Sequence, residues 1–103
     1  VLGMAAAHRT DQMVVLRSPD LQLIVHAMPP QVASQVAITS PPQLRDSAAI
    51  KFFHTVPSLS GAQESAHALG GQVLPEQWKG PGFVVRNACD PEGNIFQVRE
   101  SAA

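Results

Sequence analysis

Cysteine occurs once in these 103 residues, tyrosine not at all, and aromatic side chains make up only 5% of the chain. A lone Cys89 excludes an internal disulfide and any multi-cysteine zinc or iron–sulfur centre, and it fits a reducing, cytoplasmic setting. Charge is sparse as well, at 15%, with Lys plus Arg numbering 7 against 8 for Asp plus Glu. That balance offers no basic footprint for DNA, RNA or an anionic membrane surface, so neither nucleic acid nor membrane is expected as a partner. Apolar runs are a handful of residues long, far short of a membrane span, and the first residues show no charged-then-apolar signal pattern.

What the chain does have is 45% hydrophobic residues, nine prolines and seven glycines. The first figure argues for one modest core and the other two for many short elements rather than a helical bundle. Val1-Leu2-Gly3-Met4 reads as the last turn of a helix stopped by glycine, or equally as a short coil. Ala5 to Arg9 is a weak strand candidate. Gln12 to Arg17 and Leu21 to Ala27 are stronger ones, joined by Ser18-Pro19-Asp20 in a type I hairpin turn. Alternation sets Leu21, Leu23 and Val25 on one face and Gln22, Ile24 and His26 on the other. Met28 to about Asp46 shows no clean period and reads as a connecting arm, with a partial strand at Gln35 to Thr39.

Beyond the arm the signals sharpen. Ile50 to Val56 is a strand, and Ser58 or Ser60 caps a helix from about Leu59 to Leu69. Ser60 with Gln63 resembles a capping box, and Gly70-Gly71 ends the helix. Gln72 to Glu76, Phe83 to Ala88 and Ile95 to Arg99 are strands, separated by turns at Gly80-Pro81-Gly82 and Asp90 to Asn94. The second half therefore reads β, α, β, β, β.

Three stretches together carry a family likeness: Leu2-Gly3-Met4 at a helix end, a strand and helix closing on Ala68-Leu69-Gly70-Gly71, and Cys89-Asp90-Pro91-Glu92-Gly93-Asn94-Ile95-Phe96-Gln97. In this order they resemble the vicinal oxygen chelate superfamily, which includes glyoxalase I, bleomycin and fosfomycin resistance proteins and extradiol dioxygenases. The resemblance implies an α+β fold of paired βαβββ modules forming a cupped mixed sheet. The first module is expected to be truncated at its N-terminus, lacking its opening strand and most of its first helix. Residues 1–30 would then be the remainder of that module, 31–49 a linker arm and 50–103 the second module, one domain in all, with a homodimer completing it.

In metal-dependent relatives, four side chains at the bottom of the cup hold a divalent ion. Matched residue by residue, the first-strand ligand has no counterpart, and the others fall on Gln22, Lys51 and Gln97. An ammonium has no lone pair to donate, and neutral amides are weaker ligands than carboxylates, so the expectation is no metal and no other cofactor. The expected ligand-binding set is Gln22, His26, Lys51, Phe53, Gln97 and Arg99. Lys51, Phe53 and Gln97 with Arg99 share the concave face by alternation and suit a small anionic or hydrogen-bonding molecule with an apolar part. Lys51 and Arg99 could equally reach solvent or a carboxylate such as Glu100.

The remaining polar residues have plainer readings. His54 should pack toward the helix, while His8 and His67 should be solvated, and no HxxxH spacing occurs. Ser58 and Ser60 are explained by capping, Asp90 by its turn, and Cys89 as a small buried hydrophobe. Trp78 either lids the cup or lies pinned on a sheet edge. No catalytic residue can be named. The function read from the sequence is a glyoxalase- or bleomycin-resistance-like protein that binds a small molecule without a catalytic metal. Its alternatives are a metal-dependent lyase or dioxygenase, with ligands completed by a missing N-terminus or a partner chain, and an interaction module whose cup is filled by side chains.

Overall fold

The computed structural model describes residues 2–102, which form seven strands and two helices in two compact units. Gly3–Ala37 make one unit, and residues 38–102, with Leu2, make the other.

In the first unit β1 (Ala5–Arg9), β2 (Met13–Ser18) and β3 (Leu21–His26) form an antiparallel meander in that order. The expected hairpin is present. Ser18 pairs with Leu21 across the two-residue turn Pro19-Asp20, and the Ser18 hydroxyl donates to Asp20 at 3.3 Å. Gly3 takes φ +67°, the conformation that a glycine stop requires, although residues 2–4 are not helical. After β3 the chain forms one helical turn, α1 (Pro30–Ala33), where no element was expected. Pro30 sits in its first turn, where a missing N–H costs nothing and a fixed φ helps. The strand expected at Gln35 to Thr39 does not form. Pro41 and Pro42, just beyond, remove two of the donors a ladder would need.

The second unit holds β4 (Phe53–Thr55), α2 (Leu59–Ala68), β5 (Gln72–Gly80), β6 (Phe83–Cys89) and β7 (Ile95–Ser101). The sheet order is β4-β7-β6-β5, with β4 parallel to β7 and the other pairs antiparallel. A parallel pair needs a long crossover, which α2 begins. Its apolar stripe, Leu59, Ala62 and Ala66, packs on Val56, Val73, Ala88 and the wholly buried Val98, with Val84 and Phe96 alongside. Phe52 stacks on Phe96 at 5.3 Å between ring centres. His54, half-buried and paired with Val98, lies on this helix side of the sheet.

Both ends of α2 are sealed by side chains or turns. Ser58, not Ser60, is the N-cap, accepting from the Gly61 N–H at 3.1 Å, and Gln63 turns away to accept from Arg86. A second seal comes from far along the chain, where Glu100 accepts from the Leu59 N–H at 2.8 Å. That contact puts a carboxylate at the positive end of the helix dipole. At the other end Gly70 adopts φ +88°, and the Gly71 and Gly70 N–H groups return to the carbonyls of Ala66 and His67, a Schellman stop.

The arm is anchored rather than free over Gln43 to Arg45. Arg45 pairs with Asn94 through the Gly93 carbonyl at 2.8 Å and a side-chain bond at 3.0 Å. The turn it grips is built by Asp90, whose carboxylate accepts from the Glu92 and Asn94 N–H groups at 2.9 Å and from the Asn94 amide at 2.8 Å. Gly93 has φ +87°, and a Cβ there would collide with the Gln43 carbonyl.

The two caps of α2 give a stability test. Ser58→Ala should lower unfolding free energy by about 1 kcal/mol, as for lost N-caps generally. Glu100→Gln should lower it by about 0.3–1 kcal/mol, through loss of the charge at the helix start. Urea denaturation followed by circular dichroism measures both.

Candidate functional site

Strand β7 alternates between two environments. Phe96, Val98 and Glu100 face the helix, so Ile95, Gln97, Arg99 and Ser101 face the other way. Register then builds that second face row by row. Phe53, Gln97 and Asn87 form one row across β4, β7 and β6. Thr55, Arg99, Val85 and Trp78 form the next, ending on β5. Ser101, Phe83 and Gly80 form the third.

Arg99 is the centre of this face. Its guanidinium carbon lies 3.6 Å from the centre of the Phe53 ring and 4.2 Å from that of Phe83, a cation in contact with two aromatic faces. Phe83 in turn lies over Gly80, at a place where any Cβ would overlap its ring. Gly80, Phe83, Arg99 and Phe53 thus follow one another in contact, with the guanidinium next to both rings. The Nε atom is buried and has no hydrogen-bond partner among the described residues; the same is true of Asn87 Oδ1, one row away.

Beside Asn87 the sheet is deliberately irregular. Val73 pairs with Ala88 and Gln77 with Arg86, so Leu74, Pro75 and Glu76 oppose Asn87 alone. These two extra residues bow β5 outward. Pro75 brings no N–H that the ladder would need. The carbonyls released by the bulge are taken by Arg86, whose Nε donates to Leu74 at 2.7 Å and Nη2 to Val73 at 3.3 Å, while Nη1 reaches Gln63 on α2. The result is a cleft of about 230 Å³ lined by Leu74, Pro75, Glu76, Trp78 and Asn87. A larger groove of about 470 Å³ lies on the helix side, lined by Ser60, Gln63, Glu64, His67, Gln72 and Val73.

Of the residues singled out from the sequence, Phe53, Gln97 and Arg99 are brought together on this face. Lys51 shares the parity of Phe53 but precedes β4, which spans three residues rather than the expected seven, and it is exposed. Gln22 and His26 lie on β3 in the other unit, exposed, on the face that also carries Ile24. The His26 ring nitrogen Nδ1 is 2.6 Å from the Ala27 carbonyl. Trp78 is 41% exposed and lies within β5, opposite Val85. The sequence reading missed Phe83, Asn87 and the bulge. Pairing Phe83 to Ala88 with Ile95 to Arg99 across the Asp90 turn would have placed the first two; the bulge has only Pro75 as a signal.

The positions matched to metal ligands do not make a donor set for a divalent ion. Lys51 offers donors only, Gln97 is a neutral amide beside a guanidinium, and no group of three or more His, Cys, Asp or Glu side chains suited to a metal occurs among the described residues. Nor is a membrane-spanning helix present among them. Cys89 is buried at the end of β6, and burial pushes its thiol above the ordinary range, with Asp90 adding to the effect and a backbone bond from Gln72 opposing it.

No protein-family model and no curated protein matches the chain. Solved structures do. A glyoxalase-related enzyme from Fulvimarina pelagi superposes with TM-score 0.60 at 21% identity, over 96% of this chain and 71% of that one. A hypothetical protein from S. aureus gives 0.58 at 18%, over 96% and 77%. A bleomycin resistance determinant encoded on the transposon Tn5 gives 0.49 at 16%, over 99% and 82%. At these identities the likeness is one of fold, and with the β-α-β-β-β order of the second unit it makes this a vicinal oxygen chelate fold.

The Cys89 environment predicts slow chemistry. A thiol-specific reagent at neutral pH should modify the native protein at least tenfold more slowly than the urea-unfolded chain, because the thiolate is both rare and covered. Since the folded thiol ionises at higher pH than the unfolded one, its contribution to stability is present through neutral pH and lost as pH rises past the ordinary thiol range. Denaturation of native protein and Cys89→Ala between pH 7 and pH 10 should show the difference between them narrowing.

Proposed function

For a chain with the vicinal oxygen chelate fold, we propose the function of binding a small molecule that carries an anionic group and an apolar, flat part, without a catalytic metal. The observation that carries this reading is the Arg99 guanidinium, packed against Phe53 and Phe83 with Nε unpartnered among the described residues. A guanidinium packed against two rings has its motion restricted and can meet an oxyanion through paired N–H donors. Phe53, half exposed, offers the surface for the flat part, and Gln97 and Thr55 add neutral hydrogen-bonding groups on the same face. Lys51 supplies further positive charge nearby in sequence, in the role that a metal ion would otherwise have. The sparse carboxylates of this face favour retention of a ligand over acid–base chemistry on it.

Titration calorimetry with a panel of aromatic and aliphatic carboxylates tests the reading. Arg99→Gln should weaken the best binder by about 1–3 kcal/mol, the scale of a charge-assisted hydrogen bond in a partly dry site. Lys51→Ala should weaken it less than Arg99→Gln but more than His26→Ala does, and its effect should fade as salt is raised. Binding unchanged by Arg99→Gln would remove the basis of the proposal. Near-stoichiometric zinc, nickel, iron or manganese in the purified protein, lost on changing Gln97, would replace it with a metal-dependent activity.

Self-association belongs to the same reading. Strand β3 ends its sheet and is paired on one side only, and Leu21, Ile24 and Val25 on it are each about half exposed, at 48%, 52% and 54%. An unprotected edge with apolar side chains favours strand addition from a second copy. Sedimentation velocity should report a dimer that Val25→Lys dissociates; a monomer at every concentration up to the millimolar range would count against it.

A further inference from the structure

The cleft of about 230 Å³ beside the β5 bulge brings one carboxylate and one indole to the same opening, Glu76 and Trp78, between the apolar side chains of Leu74 and Pro75. It is held in shape from behind. Arg86 takes the Leu74 and Val73 carbonyls at 2.7 and 3.3 Å, and the Pro75 ring stiffens the bow. A cavity shaped by its own backbone loses little freedom on filling.

The basic residues of the surrounding strands are committed elsewhere. Lys79 pairs with Val84, which packs on the helix core, so it leaves by the opposite face. Arg86 is engaged with the two carbonyls and with Gln63 of α2. Arg99 is not among the lining residues, and its guanidinium lies against Phe53 and Phe83. Glu76 thus lines the cleft with its charge unmatched by these three.

That arrangement selects the sign of an occupant. An anion is repelled by Glu76, and a neutral apolar group would strip water from the carboxylate with nothing in return. A cation meets both the carboxylate and the indole. The walls narrow its chemistry further. A primary ammonium carries three N–H donors, and the side chains of Leu74, Pro75 and Trp78 hold no acceptor for them. An alkylated nitrogen spreads its charge over C–H groups and needs none. Pockets that enclose whole drug-sized ligands run to roughly 300–1,000 Å³, so this smaller cleft suits a head group. We propose that it binds the alkylated ammonium group of a small molecule, with the cation against the Trp78 indole and beside Glu76. The proposal uses none of the groups assigned to an anion and stands independently of them.

Trp78 is the single tryptophan of the chain, so its fluorescence reports on the cleft directly. The full chain is titrated with choline, with its uncharged carbon isostere 3,3-dimethylbutan-1-ol, and with ethanolamine, against sodium chloride at matched ionic strength. Choline should give a saturable change below about 0.1 M and bind about five- to tenfold more tightly than either of the others. Glu76 is exposed, and Glu76→Gln should weaken choline by about threefold or more while leaving the uncharged isostere unaffected. No saturable response to choline, equal affinity for choline and its isostere, or choline binding untouched by Glu76→Gln would overturn the proposal. Ethanolamine binding as tightly as choline would overturn its alkylated character.

Discussion

Strand β7 is the constraint on which the second unit depends, because it is paired on both sides, with β4 and β6, and used on both faces. Toward the helix, Val98 is wholly buried and Glu100 holds the start of α2. On the opposite face, the same run of residues supplies Gln97 and Arg99. A period of two does this without further machinery. The core that fixes Val98 therefore also fixes the direction in which Arg99 leaves the sheet, and packing and recognition are set by one register.

Around that strand, several polar groups that the irregular backbone would leave unmet find partners among the described residues. The bulge in β5 frees the carbonyls of Val73 and Leu74, and Arg86 takes both. The Asp90 carboxylate fills its own turn, and Arg45 ties the arm to the same turn. Set against this pairing, the unmet atoms of Asn87 and Arg99 stand out, since buried polar groups are costly to leave alone. They lie next to each other on the face that the fold leaves free of helix.

Much of this was legible in the sequence. Alternation in Ile95 to Arg99 placed the sheet and the faces of Gln97 and Arg99, and the serine cap with Gly70-Gly71 bounded the helix. Gly70-Gly71 and Asp90 to Asn94 announced their turns through the backbone conformations they demand. What stayed hidden was non-local. Nothing near Leu59 signals a cap from Glu100, forty-one residues away. The run Ile50 to Val56 looks like seven residues of strand, but only Phe53 to Thr55 find a partner, so Lys51 falls outside the ladder. Gln72 to Glu76 reads as a complete short strand because a bulge of two residues breaks the alternation before the strand resumes to Gly80. Phe83 acquires its place on Arg99 from the bare backbone of Gly80, which is a tertiary fact.

The turn at Asp90 to Asn94 has a consequence for how such a chain can vary. It sets the offset between β6 and β7, and its Gly93 receives the arm so closely that a side chain there would meet Gln43. An insertion at this corner would shift the pairing by one, sending Arg99 into the apolar layer and Val98 out of it, and would unseat the arm at the same stroke. The Leu74 to Glu76 bow carries no such double burden, since its neighbours resume register on either side. A change of length in the bow would alter the size of the cleft without changing the β6–β7 register. The edge strand can thus be reshaped while the opposite corner must keep its length.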